Sequence, residues 1–456
     1  MTNNHHRHFV CAKVDSVRQY IELTKRDYPG FLNDEGLNNY ITRVCPQFLL
    51  SLGSVMSKKS KVTCKTFDKF LTITRSLRNT SYLSNMELTI DNGGYQIQKG
   101  FLDAADIPGF IYRFYDLLDT PGLPIDWTFT LDIAPGKVNV FQNESQLISL
   151  NDLSYSRAAQ LPDTVRNKTI YIEHFRNLEL IRVWEKLHQQ DYHNSFNHFG
   201  TGGLASFARG RSQPCVDYAI PLVRALKDAK DRGITSFRYH VLGASQFTYF
   251  LIHSLFEHHI KMIHGIDVEI TCDSTIIFSK FFRTYSLPVI DSDNQRLHEI
   301  VLHSDKLNNP TPSGETNLSE FVLSTENILV PYGFQPLEER YDTIYQPGKK
   351  RDQFTRLAYT YGMLLYLHNF YIVEQWCRDA VDDLYLLFLT KKEKEFCAAT
   401  TDMLVRICGM PDTPYRHKNH QYMAKRIWNS LDMLTKLNWE YSVHVVDCFL
   451  TKKKAA

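Results

Sequence analysis

Phe237-Arg238-Tyr239-His240-Val241-Leu242-Gly243 alternates apolar and polar residues as a half-buried strand does, and a glycine closes it. Gln246 to His259 follows with helical spacing, and Val268-Glu269-Ile270-Thr271-Cys272 alternates again. Strand, helix and strand joined by short connections form a unit whose two strands run parallel, because the helix carries the chain back to its starting end. The same grammar recurs upstream. Thr169-Ile170-Tyr171-Ile172 reads as a strand, and Leu178 to Leu187 follows as a helix. Val216, Ala219, Ile220, Val223 and Leu226 share one helical face, with Pro221 marking a kink or a late start. Met86, Leu88 and Ile90 alternate with polar neighbours as in another half-buried strand. Repetition over this length predicts an α/β fold with a parallel sheet, a closed (β/α)8 TIM-type barrel. A doubly wound open sheet is the alternative, but no Gly-x-Gly-x-x-Gly turn or phosphate loop supports a nucleotide fold.

The expected organisation is an N-terminal elaboration over 1–70, a barrel over 71–335, and a helical extension packed on it over 336–456. The first part holds a helix near Gly36 to Leu52. Asn308 to Gly314 is loop-like, and aromatic and leucine stripes from Asp352 onward are helical. At 456 residues, 43% apolar and 22% charged, the composition is that of an ordinary soluble globular protein, and 28 Phe and 25 Tyr predict a ring-rich core. A net charge of +2 implies no nucleic-acid partner by bulk electrostatics. Local basic runs could still serve one: Arg209 and Arg211, and Lys349-Lys350-Arg351. Nine scattered cysteines with no Cys-x-x-Cys spacing predict reduced thiols and cytoplasmic residence. No secretory leader is legible in the polar first residues, and no apolar run is long enough to span a bilayer.

Four polar segments fall where parallel strands end, which is where such barrels keep their chemistry. They are Ile90-Asp91-Asn92-Gly93-Gly94, Phe129-Thr130-Leu131-Asp132, Phe199-Gly200-Thr201-Gly202-Gly203-Leu204 and Ile270-Thr271-Cys272-Asp273-Ser274. By local grammar alone, Asp91-Asn92-Gly93-Gly94 is also what a plain turn looks like. The order of the segments resembles that of the tRNA-guanine transglycosylases, which exchange guanine for a 7-deazaguanine within an intact polynucleotide. Asp91-Asn92-Gly93-Gly94-Tyr95-Gln96 is similar to the family's Asp-Ser-Gly-Gly-Phe/Tyr-Gln, and Gly202-Gly203-Leu204-Ala205 to its Gly-Gly-Leu-Ala turn. Arg238-Tyr239 with Gly243 resembles its Arg-Tyr-x-x-Gly strand, and Gly265-Ile266-Asp267 its Gly-Ile-Asp approach to the nucleophile. The likeness covers roughly residues 86–290.

The resemblance implies a covalent aspartyl-glycosyl intermediate on Asp273, with Asp267, at the start of the same strand, as the other candidate. It gives Asp91 the acid/base role. It places the base against Asp132, Gly202, Gly203 and Leu204, with Gly93, Gly94, Tyr95 and Gln96 beside it. Tyr95 reads either as a stacking face or as a core aromatic. Where the family uses a Gln to hold the base, this chain has Glu173 and His174. The family's zinc-binding Cys-x-Cys-x-x-Cys cluster is absent between Arg340 and Gln353, leaving His368 as a packing residue, so neither metal nor other cofactor is expected. Loss of the cluster resembles the branch, found in bacteria and phages, that modifies DNA. The implied partners are DNA, single-stranded or opened, and a 7-deazaguanine base, with a helper protein or a second copy. For a phage-encoded chain the location is the host cytoplasm. A divergent tRNA enzyme and a non-catalytic nucleic-acid-binding subunit are the alternatives.

Overall fold

In a computed structural model the described residues are 8–11, 14–30, 32–44, 47–56, 64–134, 144–174, 178–202, 218–243, 246–274, 286–291, 295–301, 327–334, 351–408 and 413–438. They build an α/β protein around a curled, all-parallel sheet. Its strands are β1 (His8–Cys11), β2 (Gln47–Ser51), β3 (Glu87–Asp91), β4 (Trp127–Phe129), β5 (Thr169–His174), β6 (His198–Gly202), β7 (Ser236–Val241) and β8 (Asp267–Ser274). Neighbours from β2 to β8 pair in sequence order, with Ser51 opposite Asp91, His174 opposite Gly202 and Val241 opposite Cys272. The short β1 pairs with both β2 and β8, through Val10 with Phe48 and Phe9 with Asp273.

The two faces of the sheet follow from the two-residue period of the strands. Leu88, Ile90, Tyr171, Phe237, Tyr239, Val268 and Ile270 are buried in the large apolar core that includes the helices. Leu49, Phe129, Ile170 and Ile172 form a separate small cluster on the concave side. Beneath that cluster, toward the strand beginnings, Arg238 bonds Glu269 at 2.8 Å and lies 3.3 Å from Glu87, with its guanidinium 4.1 Å from the Trp127 ring centroid. Above it, at the strand ends, lie the polar groups described below. The concave face is thus an ionic layer, an apolar layer and a polar rim.

Helices α1 (Val14–Asp27), α2 (Asp34–Val44), α3 (Cys64–Arg78), α4 (Gly94–Gln98), α5 (Ile107–Leu118), α6 (Glu144–Ala159), α7 (Asp163–Arg166), α8 (Leu178–His188), α9 (Ala219–Asp231) and α10 (Thr248–His264) connect the strands. Pro221 sits in the first turn of α9, where a missing N–H costs nothing, so it marks a start and not a kink. The first 70 residues, expected as an elaboration, instead supply β1 and β2 to the sheet. The helix expected over Gly36 to Leu52 stops at Val44, and Gln47–Ser51 is a strand. The apolar run Phe48-Leu49-Leu50 has no period of its own, and Pro46 after the helix was the available stop signal.

Beyond the sheet, β9 (Ser286–Asp291) and β10 (Arg296–Val301) form an antiparallel hairpin that the sequence reading did not anticipate. The C-terminal helices α11 (Arg351–Asp379), α12 (Val381–Leu389), α13 (Glu393–Ile407) and α14 (Pro414–Lys436) follow. Of these, α11 packs on α1 and α10, and α14 on α9 and α10. Phe247, Tyr366 and Phe370 carry one such contact, with ring centroids 4.7–5.9 Å apart. Among the described residues no helix is long and apolar enough to cross a membrane. The loop-like stretch Asn308 to Gly314 lies outside the described residues.

Candidate active site at the strand ends

Asp91 is the last residue of β3, and its carboxylate accepts the hydroxyl of Ser51 from the neighbouring strand. Burial pushes its pKa up to about 7; the Ser51 hydrogen bond opposes the rise, and the charges of Asp273 and Asp132 add to it. Three carboxylates therefore share one electrostatic environment. The turn after Asp91 is built for close approach. Gly93 takes φ +79°, where a side chain is strained, and a Cβ there would lie 3.0 Å from the Gly53 nitrogen. A Cβ on Gly94 would lie 2.7 Å from the Asp132 carbonyl oxygen. Asn92 locks the turn: its carbonyl accepts from the Gly94 N–H at 2.7 Å, while its amide donates to the Thr130 carbonyl at 2.7 Å and to Asp132 at 3.1 Å. The turn reading of this segment is correct as a description of its backbone.

Asp132 lies three residues past β4 and is buried, 5% exposed. One of its oxygens meets the Asn92 amide and the other meets Nε2 of His174, the last residue of β5. Gly202 ends β6 directly beneath that ring, and a Cβ there would fall 2.5 Å from His174 Nε2. The glycine is thus a steric requirement of the His174–Asp132 pair.

Asp273 stands near the end of β8 and accepts the Gly243 N–H through Oδ1, which also lies 3.6 Å from Nε2 of His240. His240 is fully buried on β7, its ring tilted 35° against Phe129 with centroids 4.6 Å apart, and bonded to Thr271 at 2.9 Å. Burial lowers its pKa, against the pull of Asp273. Asp267 occupies the opposite end of β8 and pairs with Lys261.

Other expected residues are placed elsewhere. Glu173 points to the helix side of β5, toward Arg224 at 3.6 Å and His188 at 3.4 Å, away from the rim that its neighbour His174 faces. Strand alternation requires this split. The Tyr95 ring is 57% exposed with the Lys99 amine 5.0 Å from its centroid, so it is not a core aromatic. The Gln96 carboxamide lies flat on Gly53, where a Cβ would come within 2.0 Å of it. Its Oε1 is buried with no hydrogen-bond partner among the described residues. Gly203, Leu204, Arg209, Arg211, Lys349 and Lys350 lie outside the described residues, as does the side chain of Arg351, which begins α11. On α11, burial, aided by Arg43, pushes the His368 pKa down to about 4. Ser51 and His240 are the site neighbours that sequence reasoning did not single out. Each sits at or near the end of an alternating strand, and that position was the available signal.

No family model matches the chain, and neither a curated protein nor a solved structure matches it.

Proposed function

We propose that the chain is a DNA-guanine transglycosylase, built on a complete (β/α)8 barrel, that exchanges guanine in DNA for a 7-deazaguanine base. The observation that carries this reading is the trio of carboxylates at the strand ends, with Asp91 raised to about 7 by burial and by Asp273 and Asp132. Cleaving the bond between guanine and deoxyribose builds positive charge on the anomeric carbon, which a carboxylate captures. Asp273, held by the Gly243 N–H, is the nucleophile. Its oxygen forms the bond to the anomeric carbon as the carbon–nitrogen bond to guanine breaks. Asp91 supplies the proton that guanine takes up. In the second half the incoming base loses a proton to Asp91 and displaces Asp273. A group with a pKa near the working pH serves both directions.

Asp132 receives N–H groups of the base. Its carboxylate has acceptor capacity beyond Asn92 and His174, which fix its orientation. The glycines of the rim let Gly53, Asp132 and His174 pack close against the turn and the end of β6, which holds the base-binding groups in place. Extracting the base from a duplex costs a few kcal/mol, less from single-stranded DNA. The basic runs at Arg209, Arg211 and Lys349-Lys350-Arg351 supply phosphate contacts in this reading.

The test is transfer of a labelled 7-deazaguanine into guanine-containing DNA and into tRNA, run side by side. Label in DNA is expected; label in tRNA alone would overturn the choice of polymer. Asp273→Ala should abolish the covalent DNA adduct retained on denaturing gels and slow exchange on the order of 10^3-fold or more. An undiminished adduct would remove Asp273 from the nucleophile's role. A chain that binds DNA but never exchanges its bases is the outcome expected of a non-catalytic subunit.

A further inference from the structure

On the far side of β5 from the carboxylate rim, three potential metal donors converge from separate elements. His188 ends α8, His193 lies in the single turn Tyr192–Ser195, and Asp228 is on α9. Their ligand atoms lie within 4.8 Å of one another. Both imidazoles direct Nε2 at the same oxygen, Asp228 Oδ2, from 3.6 Å and 3.9 Å. Those distances exceed a hydrogen bond. They come close to the separation of about 3.3 Å between two ligand atoms of a tetrahedral zinc ion with bonds near 2.05 Å.

Two further observations point to an ion. Behind His188, the Glu173 carboxylate is 3.4 Å from Nδ1, the arrangement in which a carboxylate orients a metal-bound histidine. His193 is 6% exposed, so its imidazole meets Asp228 out of bulk water. The three donors and Glu173 line a cavity of about 10 Å3, room for one water-sized group.

We propose that His188, His193 and Asp228 bind one zinc ion, with a water in the fourth position and Glu173 orienting His188. The ion ties α8, the 192–195 turn and α9 to the outer face of β5. It stands apart from the carboxylate rim and does not rest on the transglycosylase reading. The imidazole rings are stacked, with centroids 3.8 Å apart and planes 13° apart. Binding splays them, since one ion cannot lie in two parallel ring planes, and the soft χ2 torsions permit this.

The experiment uses the full chain, stripped with a chelator and titrated with zinc or cobalt(II) at pH 7.5. One equivalent should bind, raise the melting temperature, and with cobalt give the visible absorption of a tetrahedral ion. His193→Asn and Asp228→Asn should lose that equivalent, and Glu173→Gln should weaken binding about 10–100-fold. Circular dichroism of the stripped variants, matched to the stripped parent, separates lost ligation from lost folding. The proposal fails if the parent binds no equivalent, or if binding survives in both ligand variants and so belongs to other donors such as His5 and His6. Nitrogen NMR shifts of His188 and His193 that zinc leaves unchanged would also overturn it.

Discussion

The hydroxyl of Ser51 on β2 donates to the carboxylate of Asp91, its in-register partner on β3. This contact favours the ionised form and restrains a pKa that burial would otherwise carry higher. Ser51→Ala removes the restraint. If Asp91 gives and takes the proton in base exchange, the pH dependence near 7 should move to higher pH in the variant. The first half-reaction should then tolerate alkaline conditions better than in the parent. A pH series of single-turnover guanine release measures this, and a shift to lower pH would contradict the role given to Ser51.

The same buried carboxyl makes a prediction about stability that needs no assay of function. A carboxylic acid whose pKa rises on folding, here from 3.8 to about 7, binds its proton more tightly in the folded state. Its favourable contribution is complete below pH 4 and is lost as pH rises through about 7. Asp91→Asn removes the charged form. The variant should match the parent near pH 4 and exceed it at pH 8, by on the order of 2 kcal/mol once the part exposure of the residue is allowed for. Urea titrations at the two pH values report the difference. A variant less stable than the parent at pH 8 would mean that contacts of the carboxylate outweigh its burial.

Strand period and glycine position made much of the sheet legible between Met86 and Cys272: the strands ending at Ile90, Val241 and Cys272 alternate, and helical spacing follows Ile172 and Gly243. The strands before residue 70 were not, since Phe48-Leu49-Leu50 is apolar on both faces and carries no period. The hairpin of β9 and β10 escaped for a related reason: Pro288 interrupts the first strand, and a proline in a strand reads as a break. At the site, the carboxylates Asp91, Asp132 and Asp273 were visible as strand-end residues. What the sequence could not convey was pairing across strands. His174 and Glu173 are adjacent in sequence yet face opposite sides of β5. His188, His193 and Asp228 meet only after α8 packs against β5 and α9 against β6.

Gly202→Ala is a small change at a crowded place. The new methyl group would fall 2.5 Å from His174 Nε2, so the ring must swing away from Asp132. The cost is that of an overpacked core position, about 1–3 kcal/mol. Base binding should suffer more than adduct chemistry, because Asp132 loses its orienting partner while Asp273 keeps its own. We expect a raised KM for the 7-deazaguanine with a smaller change in kcat. Gly202→Ala combined with His174→Ala should recover part of the stability, since the clash is then relieved. Failure of the second substitution to recover any would place the strain elsewhere.

Arg238 tests the layer farthest from the carboxylate rim. Its side chain is 4% exposed, bonds Glu269 at 2.8 Å, approaches Glu87 at 3.3 Å, and lies 4.1 Å from the Trp127 ring centroid. Gln47 in turn donates to Glu87 at 2.8 Å, so one cluster ties five strands, β2, β3, β4, β7 and β8. Arg238→Met keeps much of the bulk and removes the charge, leaving Glu269 facing the interior without its cation. Breaking a buried pair from one side costs roughly 3 kcal/mol, and the part exposure of both carboxylates places the expected loss at or below that figure. Arg238→Met with Glu269→Gln removes both charges and should be the more stable of the two. Because the cluster sits below the apolar layer of Leu49, Phe129, Ile170 and Ile172, the folded fraction of either variant should retain the parent's exchange rate. Denaturant midpoints give the stability order, and rates normalised to folded protein give the second comparison. A rate that falls in proportion to lost stability would couple this layer to the carboxylate rim.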